Sequence, residues 1–154
     1  MNGWIGITLG DVTGIGPEVT LKAIAAELPK DDTRYLLIGD ERHAQLAKAQ
    51  IGLELPMEPF ASRQDSARLC ITNPLPDPLP EELADGSPRA ARAAVAWLAE
   101  GAKRCLRQEL DALVTAPVNK EAIVRAGHAF IGQTEFLSQL AGVDRTAMML
   151  LGHD

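Results

Sequence analysis

Cysteine is scarce: only Cys70 and Cys105 occur in 154 residues. They form no CxxC pair and have no histidine close in sequence, which excludes a disulfide scaffold and a contiguous zinc motif. Both read as reduced, buried thiols of a cytoplasmic protein. Histidine is equally sparse, and His43, His128 and His153 make neither HxxxH nor HExxH, so no metal site is expected within this chain. Each of the three reads as an ordinary exposed or capping residue. Basic clusters are missing, and with a net charge of −6 and a pI near 5.1 the chain lacks the electrostatic footprint of a nucleic-acid binder. No apolar stretch approaches the roughly 18 residues of a membrane span. The N-terminus carries no basic flank and reads as a first strand rather than a signal peptide. Neither GxSxG, GxGxxG nor GxxxxGK[ST] is found, which removes the common hydrolase and nucleotide signatures.

What remains is an ordinary globular composition, 46% hydrophobic and 23% charged, enough for one core. Short apolar runs at 4–9, 35–38, 69–72, 112–116 and 148–151 predict strands, the fourth of them buried. Helical patterns lie between them. Pro17 suits a first helical position, and Val19, Ala23 and Ala26 recur at helical spacing up to Pro29. Residues 41–50 favour helix, with Leu46 and Ala49 on one side. The clearest helix runs from the N-cap candidate Ser87 to about residue 108, with an apolar stripe of Ala91, Ala94, Val95, Leu98, Ala102, Cys105 and Leu106. A short helix is expected over 120–126, ended by Gly127, and another over 134–140 with Thr134 as N-cap. Four prolines within 73–80 make residues 73–86 a surface loop. Alternation of strand and helix predicts an α/β fold with α/β/α layers around a mainly parallel sheet.

Three segments carry candidate chemistry. Residues 10–18 (GDVTGIGPE) place Gly10, Gly14 and Gly16 between a strand and a helix, where backbone N–H groups can face an anion. The same loop is open to a plain turn, with Asp11 bonding its own backbone. Residues 113–120 (LVTAPVNK) end a strand with hydroxyl, amide and ammonium groups that can hold phosphate or carboxylate. Alternatively Asn119 caps a helix and Lys120 is solvated. Residues 132–137 (GQTEFL) offer the donor and acceptor of Gln133 and the hydroxyl of Thr134 at a helix start, as a ligand corner or as a cap.

Taken together, in this order and spacing, the three segments resemble the 4-hydroxythreonine-4-phosphate dehydrogenase family of pyridoxal phosphate biosynthesis, in its N-terminal part. The resemblance implies an isocitrate/isopropylmalate dehydrogenase-like fold, incomplete at the C-terminus here. About residues 1–130 would belong to a first domain and 131–154 would open a second. It implies a homodimeric, cytoplasmic oxidoreductase that uses NAD or NADP and a divalent metal (zinc, magnesium or cobalt) whose ligands lie beyond residue 154. Its substrate would be 4-phosphohydroxy-L-threonine or a related phosphorylated hydroxy acid, oxidised to a 3-oxo acid that decarboxylates. Gln133, Thr134 and Lys120 are then the substrate candidates, and Gly10, Asp11, Gly14 and Gly16 the cofactor candidates. The family pattern has histidine where this chain has Gln133, which removes a titrating ring. In the first loop Val12 and Thr13 replace a proline and a small residue. The chain by itself is expected to be inactive. A phosphate acyltransferase of the same fold type and a non-catalytic phosphate-binding remnant are the alternatives.

Overall fold

The computed structural model describes residues 3–152. Five strands, β1 (Trp4–Thr8), β2 (Arg34–Ile38), β3 (Glu58–Pro59), β4 (Leu69–Thr72) and β5 (Ala112–Thr115), form one sheet in the order β3-β4-β2-β1-β5. Every pairing is parallel. Five helices accompany them: α1 (Gly16–Glu27), α2 (Glu41–Gln50), α3 (Pro88–Leu106), α4 (Lys120–Arg125) and α5 (Gln133–Ala141). The expected α/β class with a mainly parallel sheet is what the chain adopts. Tyr35, Leu36, Leu37 and Ile38 of the central β2 are all buried, as a parallel strand covered on both faces requires.

The long helix α3 unites two clusters. Ala93 and Trp97 join the main core with Trp4, Leu36, Ile38 and Leu69, whereas Ala91, Val95 and Leu98 meet Ile123 and Phe130 on another side. Its close seat on the sheet follows from Gly101, whose missing side chain leaves room for Leu113 and Ile38. Ser87 caps the helix by accepting from the Arg89 N–H, and Pro88 starts it, as its sequence predicts.

Several expectations are corrected. In α1 the buried residues are Gly16, Pro17, Thr20, Leu21 and Ile24, while Val19, Ala23 and Ala26 face outward. The close approach of Gly16 to the Leu9 carbonyl fixes the rotation of the helix, which the apolar spacing alone misreads. In α2, His43, Ala44 and Ala47 are buried and Ala49 is exposed. His43 is therefore neither exposed nor a cap. Leu106 lies outside the α3 stripe, and Cys105 is only half-buried, packed against the edge of the main core. The two-residue β3 was not anticipated, since one of its residues is a proline.

β5 is an edge strand, not a buried one, and Ala112 and Val114 lie on its more open face, Val114 half exposed. Gly132, in extended backbone, is the N-cap of α5, and Thr134 sits inside its first turn. Residues 148–151 form no strand; Met148, Met149, Leu150 and Leu151 are each at least 74% exposed. An apolar run forms a strand only when another edge pairs with it, and none does here among the described residues. His153 lies outside the described residues.

Candidate functional site

The chain passes from β1 to β2 on one side and places β5 on the other, so the strand order reverses at β1. In open α/β sheets ligands bind at such a switch, beyond the carboxyl ends of the strands. The loops that follow β1 and β5 meet there. The Asp11 N–H donates to the Pro117 carbonyl at 2.9 Å. Gly10 has φ +74°, and a Cβ on it would lie 2.5 Å from the Pro117 oxygen and 2.8 Å from the Ala116 Cβ. Glycine is thus required twice over, by conformation and by contact.

Asp11 is buried, and one carboxylate oxygen accepts from both the N–H and the hydroxyl of Thr13, at 2.9 and 2.7 Å. The Thr13 hydroxyl in turn accepts from the Gly86 N–H at 3.2 Å, which ties in the loop leading to α3. The Asp11 turn is real, as its sequence allows. Gly14 is exposed, and a Cβ there would make only ordinary contact with Asp11. No side chain caps the first turn of α1, and Pro17 has no N–H to satisfy.

Gln133 reaches the same corner. Its Nε2 donates to the Ala116 carbonyl at 3.2 Å, one residue from the Asp11 partner. Its Oε1 is enclosed and accepts no hydrogen bond among the described residues. An enclosed acceptor without a donor costs about 1–3 kcal/mol, so this atom is suited to a donor supplied by a ligand. Thr134 is exposed, and its carbonyl accepts from the Ser138 hydroxyl. Asn119 caps α4 by accepting from the Ala122 N–H at 3.0 Å, and Lys120 is exposed beyond it. The structure therefore brings together Gly10, Asp11, Gly16 and Gln133, with Gly14 at the surface of the loop and Lys120 and Thr134 on the outside.

Sequence reading missed a second polar group beside this corner. Asp40, at the end of β2 and only 1% exposed, caps α2 by accepting from the His43 N–H and also from His43 Nδ1, both at 3.1 Å. It accepts further from the Leu79 N–H at 2.9 Å and from Asn73 Nδ2 at 3.3 Å, and Asn73 accepts from Trp97 Nε1 at 3.0 Å. Burial pushes the Asp40 carboxyl up, but the N–H of Leu79 and the ring and N–H of His43 outweigh it and hold the group below its ordinary value. Its available signal was an aspartate directly after a strand and glycine, three residues before His43. A cleft of about 450 Å³ opens between the glycine loop, α1, α2 and the proline-rich loop, lined among others by Thr13, Gly14, Glu18, His43 and Glu81. The buried Cys70 thiol is pushed up to about 11 by burial, which leaves it unreactive.

Among the described residues no three histidines, cysteines or carboxylates come together as metal ligands. The described side chains therefore do not by themselves form a site for the divalent metal that the sequence resemblance implies. Among the described residues no helix is long and apolar enough to cross a membrane.

A parallel five-stranded sheet whose strand order reverses at β1, with a glycine loop and the Gln133 amide at that point, defines an α/β protein. Comparison with known proteins narrows that class. The family model for "Pyridoxal phosphate biosynthetic protein PdxA" matches residues 31–154, and the chain belongs to this family. It is 38% identical to the D-threonate 4-phosphate dehydrogenase of Cupriavidus necator, over 96% of this chain and 45% of that protein. It is 35% identical to the 4-hydroxythreonine-4-phosphate dehydrogenase of Desulfosudis oleivorans, over 97% of this chain and 45% of that one. The crystal structure of a 4-hydroxythreonine-4-phosphate dehydrogenase from Burkholderia phymatum superposes with a TM-score of 0.86 at 32% identity, covering 99% of this chain and 47% of its own. The chain thus spans about half the length of the relatives it matches.

Proposed function

We propose that this chain contributes the glycine-loop half of an NAD- or NADP-dependent dehydrogenase that oxidises a small phosphorylated hydroxy acid. The observation that carries the reading is the enclosed, undonated Oε1 of Gln133 beside the Asp11–Pro117 junction. An acceptor there suits the hydroxyl or ammonium of a substrate such as 4-phosphohydroxy-L-threonine or D-threonate 4-phosphate, and is unsuited to phosphate oxygens. Relatives named for both substrates support that class.

The nicotinamide cofactor, when bound, accepts the hydride of the substrate's secondary alcohol. The chain's own contribution is to orient. Gln133 holds a substrate donor, and the exposed Thr134 hydroxyl and Lys120 ammonium are the further substrate contacts, approached from outside the corner. Gly10, Asp11, Gly14 and Gly16 form the cofactor-facing loop, in which Asp11 keeps Thr13 fixed. The 3-oxo acid so formed loses carbon dioxide readily, consistent with a place in vitamin B6 synthesis. A divalent metal would be held by residues outside this chain, and no step is assigned to it here. In this reading residues 1–130 belong to a first domain and 131–154 open a second, in keeping with an α5 that buries no residue. The working protein would be a cytoplasmic homodimer.

The test is turnover by the complete gene product. NADH should appear with one or both phosphorylated acids, and Gln133→Ala should raise KM more than it lowers kcat. An unchanged KM in Gln133→Ala would remove Gln133 from the substrate site.

A further inference from the structure

Gly86, the last residue before the cap of α3, has two side-chain donors from α4 against it. Its φ is +64°, and a Cβ on it would lie 2.9 Å from Nη2 of Arg125 and 3.5 Å from Nδ2 of Asn119. The two nitrogens come from opposite ends of α4, the cap and the last residue, and meet at one bare face of the loop. Asn119 spends its side-chain oxygen on the Ala122 N–H at 3.0 Å, which fixes the amide so that Nδ2 is the atom toward Gly86. Among the described residues neither Nδ2 nor the Arg125 guanidinium has an acceptor. The backbone under them is already held. The Gly86 N–H donates to the Thr13 hydroxyl at 3.2 Å, and Ala122 and Ile123 anchor α4 in the core.

Both groups only donate, so their ligand must bring acceptors, and a guanidinium with an amide suits the oxygens of an anion. Their distances from one point are short enough for two oxygens of a single phosphate to bridge them. The acids nearest in sequence, Asp85 and Glu121, are exposed, and neither pairs with Arg125, so no carboxylate of the chain already fills that place. Beside the guanidinium lies an open hollow of about 520 Å³, lined by Lys120, Glu121, Val124 and Arg125, which gives a ligand access. We propose that Arg125 and Asn119 form a phosphate-binding cradle beside Gly86, distinct from the Gln133 corner. The two are opposite in character: the Gln133 Oε1 calls for a donor and the cradle for acceptors. They flank one turn, since Gln133 docks on Ala116 and Asn119 follows Pro117 by two residues. The phosphate is either that of an acid held at Gln133 or inorganic phosphate from solution, and the cradle itself does not depend on the dehydrogenase reading.

The test follows the Asn119 side-chain amide and the Arg125 Nε–H of the protein by NMR during titration with inorganic phosphate. Both signals should move saturably, and Arg125→Gln should weaken the binding by about tenfold or more, the loss of a charged hydrogen bond. Asn119→Asp keeps the oxygen that caps α4 and exchanges the donor for a second acceptor, so it should weaken phosphate at least as much with the helix intact. Signals that stay silent, or a phosphate affinity that neither variant changes, overturn the cradle. Because the wild-type titration needs no variant, a poorly folded substitution leaves the test decisive. A second titration, with 4-phosphohydroxy-L-threonine in the presence of phosphate, separates the sources: displacement of phosphate from the two signals assigns the cradle to the substrate, and undisturbed phosphate assigns it to the free anion, and either upholds it. NADH formation by the complete gene product with silent Asn119 and Arg125 signals would refute the cradle and spare the dehydrogenase. Phosphate binding at the two residues without turnover of either acid would uphold the cradle and refute the dehydrogenase.

Discussion

The N–H of Asp11 and the carbonyl of Pro117 are joined by a 2.9 Å hydrogen bond between residues more than a hundred positions apart in the chain. That bond makes the loops after β1 and β5 one body, and Gln133 docks on it through Ala116.

Gly10→Ala should destabilise the protein by about 1–3 kcal/mol, because it combines a left-handed backbone with overlap of the Pro117 carbonyl. Gly14→Ala, which meets only ordinary contacts, should be within about 0.5 kcal/mol of wild type. Urea unfolding of the two variants side by side checks the contrast, and equal losses would mean that the junction is not sterically fixed.

Asp40→Ala should cost about 1–3 kcal/mol, since it removes the α2 cap and strands the buried donors of Leu79, Asn73 and His43. The acid dependence has a definite sign. The folded-state pKa of Asp40 is lowered, so its stabilisation is fully present above the unfolded value of about 3.9 and is lost as pH falls through the folded one. Unfolding free energies measured from pH 7 downward should converge for wild type and Asp40→Asn in acid. A gap that stays constant to the lowest pH would show that the charge contributes nothing.

Much of this was legible in the sequence, and what was not has physical causes. The α2 range and the caps of α3 and α4 follow from local chemistry: Ser87 and Asn119 bond their own helices, and prolines bound the loops. Facing directions were harder. Val19, Ala23 and Ala26 make an acceptable helical stripe, yet the tertiary contact of Gly16 with Leu9 turns them outward. Likewise an apolar run such as β5 reads the same at a sheet edge as at its centre, because neighbouring strands are chosen non-locally. The three site segments could be found individually, but only the parallel register of β1 with β5 brings Asp11 and Gln133 to one corner. Asp40 and His43 escaped because a histidine in a polar helix gives no sign that a buried carboxylate lies behind it.

Residues 1–154 by themselves should self-associate. β5 leaves an unpaired edge among the described residues, and Val124, Ile131, Met148, Met149, Leu150 and Leu151 are all exposed apolar side chains. Sedimentation velocity over a concentration series should reveal association that weakens when Leu150 and Leu151 are both replaced by serine. A strictly monomeric species at all concentrations would contradict this account of the surface.

Residues 1–154 alone should form no NADH with phosphorylated hydroxythreonine, even with zinc, magnesium or cobalt added, because no three metal-ligating side chains converge among the described residues. Turnover together with stoichiometric metal binding would require a site built from ligands not brought together here.

The most direct measurement of the central claim is NADH formation by the complete gene product, supplied with NAD or NADP, a divalent metal, and either 4-phosphohydroxy-L-threonine or D-threonate 4-phosphate. The account predicts enzyme-dependent NADH or NADPH and release of carbon dioxide with at least one acid, with KM raised by about two- to tenfold in Gln133→Ala. No reduced cofactor from either acid under any metal would contradict it.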